Sequence, residues 1–203
     1  MNWPGEQEAW EILSGLKSSE VSTHAKAEYD SNKGSFNLCC LGQDISVLPG
    51  ERKIVSHSES GKLFLEELSD YSRLSILRYL IHAKATPLAD EFVRPYDLTG
   101  GDIFRRGTHV LPLKDLATRF DRQDTELKRI GKSLGGSFHE FGDVSIKMYP
   151  FPRVPMVVIL WNGDDEFPAQ ASLLVDADCP SQLPLDIIWS TAMMTVMMIL
   201  KSN

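Results

Sequence analysis

The chain has 203 residues, enough for one large domain or two small domains with a buried core. Apolar residues make up 42% and charged residues 24% of the sequence, which argues against disorder over the whole chain. The net charge of -7 at pH 7 argues against nucleic acid or an anionic membrane as the main partner, because both require a basic face.

The first 34 residues are predicted to form a helical N-terminal extension. Apolar residues recur at helical spacing over Glu6–Leu16, and Ser19–Ser31 predicts a second, more polar helix. The N-terminus has neither the basic segment nor the apolar segment of a signal peptide, so we expect a cytoplasmic location. Residues 35–203 are then expected to form the core of a single domain.

Three short β-prone runs follow the extension. They are Phe36–Leu41, Asp44–Leu48 and Arg52–Ser56, and residues typical of turns separate them at Gly42 and Pro49. Because connections of this length join antiparallel neighbours, the pattern predicts an antiparallel meander.

Apolar periodicity predicts three further helices in the middle of the chain. The helix that begins at Asp70 ends before Thr86-Pro87, because a residue before proline avoids the helical region. The helix that begins at Asp124 ends before Gly135-Gly136, because glycine commonly follows the last residue of a helix. The stretch Asp90–Thr108 is predicted to be a loop. The three helices are Asp70–Ala83, a helix that begins at Pro112 and extends to Phe120, and Asp124–Leu134.

The strongest fold signal is Asn162-Gly163 between two apolar, β-prone runs, the pattern of a hairpin. A preceding strand pair, Phe138–Phe141 and Val144–Tyr149, is predicted around Gly142-Asp143. We therefore predict an α+β fold: a single domain with an antiparallel sheet, a central hairpin around Asn162-Gly163, and packing helices.

The last apolar stretch, Leu185–Leu200, follows a predicted loop at Pro180–Pro184. It is interrupted by Asp186, and it is shorter than the roughly 20 apolar residues of a membrane-spanning helix. We predict a buried terminal helix and no membrane partner.

Three cysteines, Cys39, Cys40 and Cys179, match neither a disulfide framework nor a zinc-binding spacing. Adjacent residues of a strand point to opposite faces, so Cys39 and Cys40 cannot easily bridge each other. We expect three reduced thiols and no cofactor.

The predicted turn concentrates three carboxylates, Asp164, Asp165 and Glu166. Carboxylate oxygens bind Mg²⁺ and Ca²⁺, and Asp176 would join them if the strands brought it back. Turns also favour aspartate for backbone reasons, and the Asp-x-Asp-x-Asp-Gly spacing of a calcium loop is missing. We assign no metal ligand.

Two other residues complete the candidate ligand-binding site. Trp161 beside the turn is suited either to stacking on a flat ligand or to packing across the sheet. Arg153, near the start of the same strand, is a candidate to pair with the acidic turn. No motif assigns a catalytic residue. The candidate ligand-binding residues are Arg153, Trp161, Asp164, Asp165 and Glu166.

From about Gly42 onward, a series of segments matches the pattern of one known family in order: Ile76–Leu80, Pro87–Phe92, Leu98–Phe104, Leu134–Gly136, Gly142-Asp143, Pro152–Pro155, Leu160–Ala169 and Leu174–Asp176. In these segments the chain resembles family three-seven-eight-six of prokaryotic domains of unknown function. Asp90 and Phe92 depart from the glycine and tryptophan usual in that family. The resemblance implies the same fold but no activity.

Three hypotheses for the function follow. The leading one is a cytosolic binding or accessory domain whose acidic turn and Trp161 contact a small ligand or a protein. The alternative is a divalent-metal-assisted, hydrolase-like enzyme that uses Asp164, Asp165 and Glu166. The third rests on the resemblance alone, because some members are fused to iron–sulfur modules: an accessory subunit in anaerobic one-carbon or iron–sulfur metabolism. The oligomeric state stays open.

Overall fold

The computed structural model of the protein describes residues 5–105 and 110–202. The end of the predicted loop Asp90–Thr108 lies outside the described residues. Those residues fold into two antiparallel sheets and eight α-helices in one α+β domain, which confirms the predicted fold class.

The first sheet has four strands in the order β1-β2-β3-β4. Its last three strands confirm the predicted meander. The first, β1, replaces the second half of the helix predicted over residues 19–31, because Lys26 adopts a left-handed conformation with φ of 50° and ends helix α2. The strands are β1 Glu28–Asp30, β2 Ser35–Cys40, β3 Gln43–Leu48 and β4 Lys53–Val55.

The second sheet has five strands in the order β5-β9-β8-β7-β6. Its centre is the antiparallel pair of β8 and β9, which confirms the predicted hairpin, although the connection runs over residues 162–169 rather than two residues. The strands are β5 Phe92–Val93, β6 Ser137–His139, β7 Val144–Phe151, β8 Val154–Trp161 and β9 Gln170–Asp176.

Most helices match the predictions, and two differ. Helix α3 was not predicted; Ser58 caps it, since its hydroxyl oxygen accepts a hydrogen bond from Gly61 N at 2.9 Å. Helix α7 occupies part of the predicted loop 180–184, with Pro180 in its first turn. The helices are α1 Glu6–Gly15, α2 Ser18–Ala25, α3 Glu59–Glu67, α4 Ser69–His82, α5 Leu113–Phe120, α6 Asp124–Ser133, α7 Cys179–Gln182 and α8 Leu185–Lys201.

The main core lies between the second sheet and the helices. Helix α8 runs through it against α4 and α5, with Ile188, Ala192 and Met194 fully buried. The terminal helix is therefore part of the core, as predicted. Within the described residues, no helix has both the length and the apolar content needed to cross a membrane.

The two faces of the second sheet differ in what covers them. Val158 and its cross-strand partners Ile146 and Leu173 point into the helical core, and α5 and α6 pack against the sheet. Alternate residues point to the other face, which we call the outer face. There the side chain of Lys147, only 13% exposed, lies 5.1 Å from the centre of the Phe92 ring and 5.7 Å from that of Tyr149.

The cysteines behave as predicted from strand geometry. Cys39 is exposed and its neighbour Cys40 is buried, so the two side chains lie on opposite faces of β2. All three thiols, including that of the buried Cys179, are free.

Candidate functional site

The connection between β8 and β9, residues 162–169, is fixed by Asn162. Its backbone N–H donates to Asp143 Oδ2 at 2.7 Å, and its side-chain amide donates to Asp124 Oδ1 at 3.0 Å. Its Oδ1 accepts a hydrogen bond from Arg122 N at 2.7 Å. These bonds join the loop to the turn between α5 and α6 on one side and to the start of β7 on the other.

Gly163 extends the same attachment. Its N–H donates to Asp121 Oδ1 at 2.9 Å, and its carbonyl accepts a hydrogen bond from the Arg122 side chain at 3.2 Å. Arg122 has a φ of 57°, in the left-handed region that non-glycine residues seldom adopt. A backbone in this strained conformation persists when its surroundings hold it, as the two bonds to the loop do here.

Asp164 shapes the tip of the loop. Its Oδ1 accepts hydrogen bonds from Phe167 N at 2.7 Å and Glu166 N at 2.9 Å, and its own N–H donates to the Phe167 carbonyl at 2.9 Å. The N–H groups of Phe167 and Glu166, with a smaller effect of the Arg122 charge, lower the pKa of Asp164. One oxygen of Asp164 is therefore committed to the loop itself.

The three carboxylates of the loop do not converge on a metal site. Asp165 and Glu166 are exposed. Among residues 5–105 and 110–202, no group of three or more His, Cys, Asp or Glu side chains is spaced to hold a metal ion.

Asp176 lies at the other end of β9, away from the loop. Its carboxylate is fully buried and accepts hydrogen bonds from the N–H groups of Ala89, Asp90 and Asp178 at 3.2, 2.9 and 2.9 Å. These bonds satisfy the buried charge, and they fix the chain that leads into β5.

Arg153 is not part of this site. It lies in the turn between β7 and β8, so the length of β8 separates it from the acidic loop. Its guanidinium donates to three backbone carbonyls, those of His24 at 2.6 Å, Thr86 at 3.3 Å and Thr23 at 3.3 Å. Arg153 thus connects the β7–β8 turn to helix α2 and to the segment at Thr86. It does not pair with the acidic turn.

Trp161 stands at the end of β8 on the outer face, opposite Gln170. It is 42% exposed, whereas every other residue of β8 is buried. Gly142 lies beneath it with a φ of 59°, and a Cβ there would lie 3.2 Å from Trp161 Cε2. Glycine at this position therefore allows the indole to lie close to the β6–β7 connection.

An open depression of about 760 Å³ adjoins Trp161 and wraps around the free part of the β9 edge. It contains two of the five residues predicted from sequence, Trp161 and Asp164; Arg153, Asp165 and Glu166 are not in its lining. We call it the Trp161 depression. Its lining residues are Arg94, Tyr96, Leu113, Asp143, Trp161, Asn162, Asp164, Phe167, Pro168, Gln170, Ala171 and Ser172.

Arg94 is the cation in this lining that sequence reasoning missed. It directly follows β5, which pairs with β9, and its Nη1 donates to the Tyr96 hydroxyl at 2.7 Å. No carboxylate of the described residues forms an ion pair with it at 4.0 Å or less. Only the non-local pairing of residues 92–93 with 175–176 brings Arg94 to the site, and no local sequence signal indicates that pairing.

A second depression, of about 360 Å³, lies between α1 and the first sheet. Its walls combine apolar side chains, among them Leu13, Leu16 and Phe36, with the charged side chains of Lys33 and Glu51. The Trp161 depression combines an exposed aromatic ring with a guanidinium, carboxylates and amides. Sites with a few convergent polar groups beside an apolar surface are typical of ligand binding.

The family model described as a domain of unknown function (DUF3786) matches residues 18–198, nearly the whole chain. The protein belongs to this family, which confirms the resemblance and extends it from Gly42 back to residue 18. No curated protein and no solved structure matches the chain.

Proposed function

We propose that the protein is a binding or accessory domain and that its Trp161 depression takes up a small organic ligand. The exposed position of Trp161 carries the proposal: a large aromatic ring stays 42% accessible at the end of an otherwise buried strand and faces a concave surface. Burial of an aromatic side chain by a ligand is favourable, and its ring offers a face for stacking.

The hydrogen bonds of the loop support the same proposal. Asn162 and Gly163 make bonds to two different segments, the α5–α6 turn and the start of β7, so the loop is held in place before any ligand arrives. Little conformational entropy of the loop is then lost on binding, which is the advantage of a preorganised site.

The shape of the site favours a small molecule over a protein partner. The depression has a volume within the 300–1,000 Å³ typical of ligand pockets. The alternative of a metal-assisted enzyme lacks a comparable observation, because the loop carboxylates of the described chain do not converge.

A ligand screen with matched variants tests the proposal. Compounds that raise the melting temperature are titrated by calorimetry against wild-type protein, Trp161→Ala and Phe138→Ala. Phe138 is a suitable control because it is 51% exposed on β6 and does not line the depression. Loss of stacking in Trp161→Ala should weaken binding at least about tenfold, and Phe138→Ala should bind like wild type. Equal binding by wild type and Trp161→Ala would refute the proposal.

A further inference from the structure

The two ends of the Trp161 depression carry opposite charges. Asp143 and Asp164 lie at the end near the Trp161 ring, whereas Arg94 lies at the end near β5. A ligand that matches both ends is itself dipolar.

At the Trp161 end, the ring and the carboxylates suit a cation. A guanidinium or ammonium group is attracted to the face of a tryptophan ring, and it donates charge-assisted hydrogen bonds to carboxylates. Asp164 uses Oδ1 for the two loop N–H groups, and the same bonds favour its ionised form by lowering its pKa. Its other oxygen, Oδ2, accepts no hydrogen bond from a described residue and is available to a ligand.

At the β5 end, Arg94 suits a carboxylate. Its hydrogen bond to the Tyr96 hydroxyl, at 2.7 Å, restricts the orientation of the guanidinium. A planar guanidinium binds a carboxylate through two parallel N–H···O bonds, so a restricted orientation lowers the entropy lost on binding. A polyphosphate fits less well, since the two aspartates would repel its charge.

The sheet register sets the distance between the ends. Val93 pairs with Val175 and Trp161 pairs with Gln170, so these levels are five residue steps apart along β9. At about 3.3 Å per residue this separation is about 17 Å. Arg94 follows Val93 one step nearer to Trp161 and lines the depression, so a peptide of two to four extended residues, at about 3.5 Å each, spans the remaining distance.

We propose, building on the proposed function, that the ligand is a short zwitterionic peptide. Its basic side chain stacks on Trp161 beside Asp164, and its C-terminal carboxylate pairs with Arg94. The described surface of the depression thus recognises both ends of the peptide and leaves its middle to the edge of β9.

Three peptides that differ only in charge test this inference by calorimetry: Arg-Gly-Gly, citrulline-Gly-Gly and Arg-Gly-Gly amide. Citrulline is a neutral, near-isosteric replacement for arginine, and the amide removes the terminal charge. Arg-Gly-Gly should bind to wild type, and each analogue, which lacks one of its charges, should bind about five- to tenfold more weakly.

Two variants assign each charge to its end of the site. Arg94→Gln should bind the acid and the amide equally and keep its preference for arginine over citrulline. Asp164→Asn retains an oxygen acceptor for the loop N–H groups. This variant should bind the arginine and citrulline peptides equally and keep its preference for the acid over the amide. Arg52→Gln, at an exposed arginine outside the depression, should behave like wild type.

The outcomes separate this inference from the proposed function. Equal affinity for the three peptides, or no binding of Arg-Gly-Gly, overturns the zwitterion inference. If compounds of another class still bind in a Trp161-dependent manner, the proposed function stands. If no compound binds in that manner, both fail.

Discussion

Asn162 is the residue on which the geometry of the binding loop most depends. Its side chain accepts a hydrogen bond from Arg122 N and donates one to Asp124, and its N–H donates to Asp143. The main role of asparagine at this position is therefore to attach the loop to the α5–α6 turn. It does not form a two-residue hairpin turn.

Replacing Asn162 by alanine should destabilise the protein by about 1–2 kcal/mol, because two side-chain hydrogen bonds are lost. Urea unfolding monitored by circular dichroism measures this change. Asp165→Asn is the matched control, because Asp165 is exposed on the same loop and forms no hydrogen bond or ion pair with a described residue. Its effect should stay within about 0.5 kcal/mol. Equal stability of the two variants would contradict the role of Asn162.

Asp164 makes the loop sensitive to acid. Hydrogen bonds from Phe167 N and Glu166 N lower the pKa of its carboxyl group in the folded protein. A lowered folded-state pKa means that ionised Asp164 stabilises the folded state above the unfolded-state pKa. This contribution is lost as the pH falls through the folded-state pKa.

An NMR titration of the Asp164 carboxyl carbon should give a midpoint below that of an ordinary aspartate. The amide resonances of Glu166 and Phe167 should shift over the same pH range, because their hydrogen bonds end on that carboxylate. The Asp164→Asn variant should lack this transition. A midpoint at or above the ordinary value would contradict the hydrogen-bonded geometry.

The three thiols should differ in reactivity. Cys40 and Cys179 are buried, and burial raises the pKa of both thiols. Partial burial also raises the pKa of the Cys39 thiol, which is exposed, by a smaller amount. A disulfide-exchange reagent should therefore titrate one thiol in native protein and three after denaturation, without added reductant. The native reaction should be slower than that of a free thiol and accelerate as the pH rises, because the thiolate is the nucleophile. Fewer than three thiols after denaturation would indicate a disulfide.

At the scale of elements, α8 links the sheet to the helical layer. Ile188, Ala192 and Met194 are fully buried in the core that α4 and α5 share with the helix. Removal of this helix would expose the apolar surface of its neighbours, and a domain of marginal net stability does not tolerate such a loss.

A chain that ends at Pro184 should be insoluble or should lack a cooperative thermal transition. Two substitutions on the intact helix refine this test: Met194→Ala should cost about 2–5 kcal/mol, and Met197→Ala less, because Met197 is only partly buried. A soluble truncated chain that melts cooperatively would show that α8 is not essential to the core.

Local patterns predicted the elements that have local causes. The meander β2–β4, the helix α4 and the β8–β9 hairpin each follow from periodicity and turn residues close in sequence. Helix α3 was missed because its apolar residues, Leu63, Phe64 and Leu65, are adjacent instead of recurring at helical spacing. Its formation depends on the Ser58 cap and on burial of Phe64.

The candidate site was predictable only in part, because some of its residues have a local sequence signal and others do not. Trp161 and Asp164 belong to the strongest local signal in the chain, so sequence reasoning found them. Arg94 enters through a two-residue strand that pairs with residues more than eighty positions later, and Asp143 enters through a hydrogen bond to Asn162. Contacts of this kind depend on the assembled sheet and have no local sequence pattern.

At the scale of the whole molecule, the second sheet lies between the helical core and an outer face on which Trp161 is exposed while Val157 and Ile159 are buried. The family match from residue 18 includes α2 and the first sheet as well as the second sheet. One end of the outer face carries the Trp161 depression, held by bonds from the α5–α6 turn. The central claim is that this depression binds a small ligand.

The most direct test of that claim is fluorine NMR of protein labelled with 5-fluorotryptophan. The chain has four tryptophans, and Trp161→Phe assigns the resonance of Trp161. When ligands from the thermal-shift screen are added, the Trp161 resonance should move, and that of the buried Trp10 should stay in place. Movement of the Trp10 resonance alone, or no change at Trp161 with any ligand, would contradict the account.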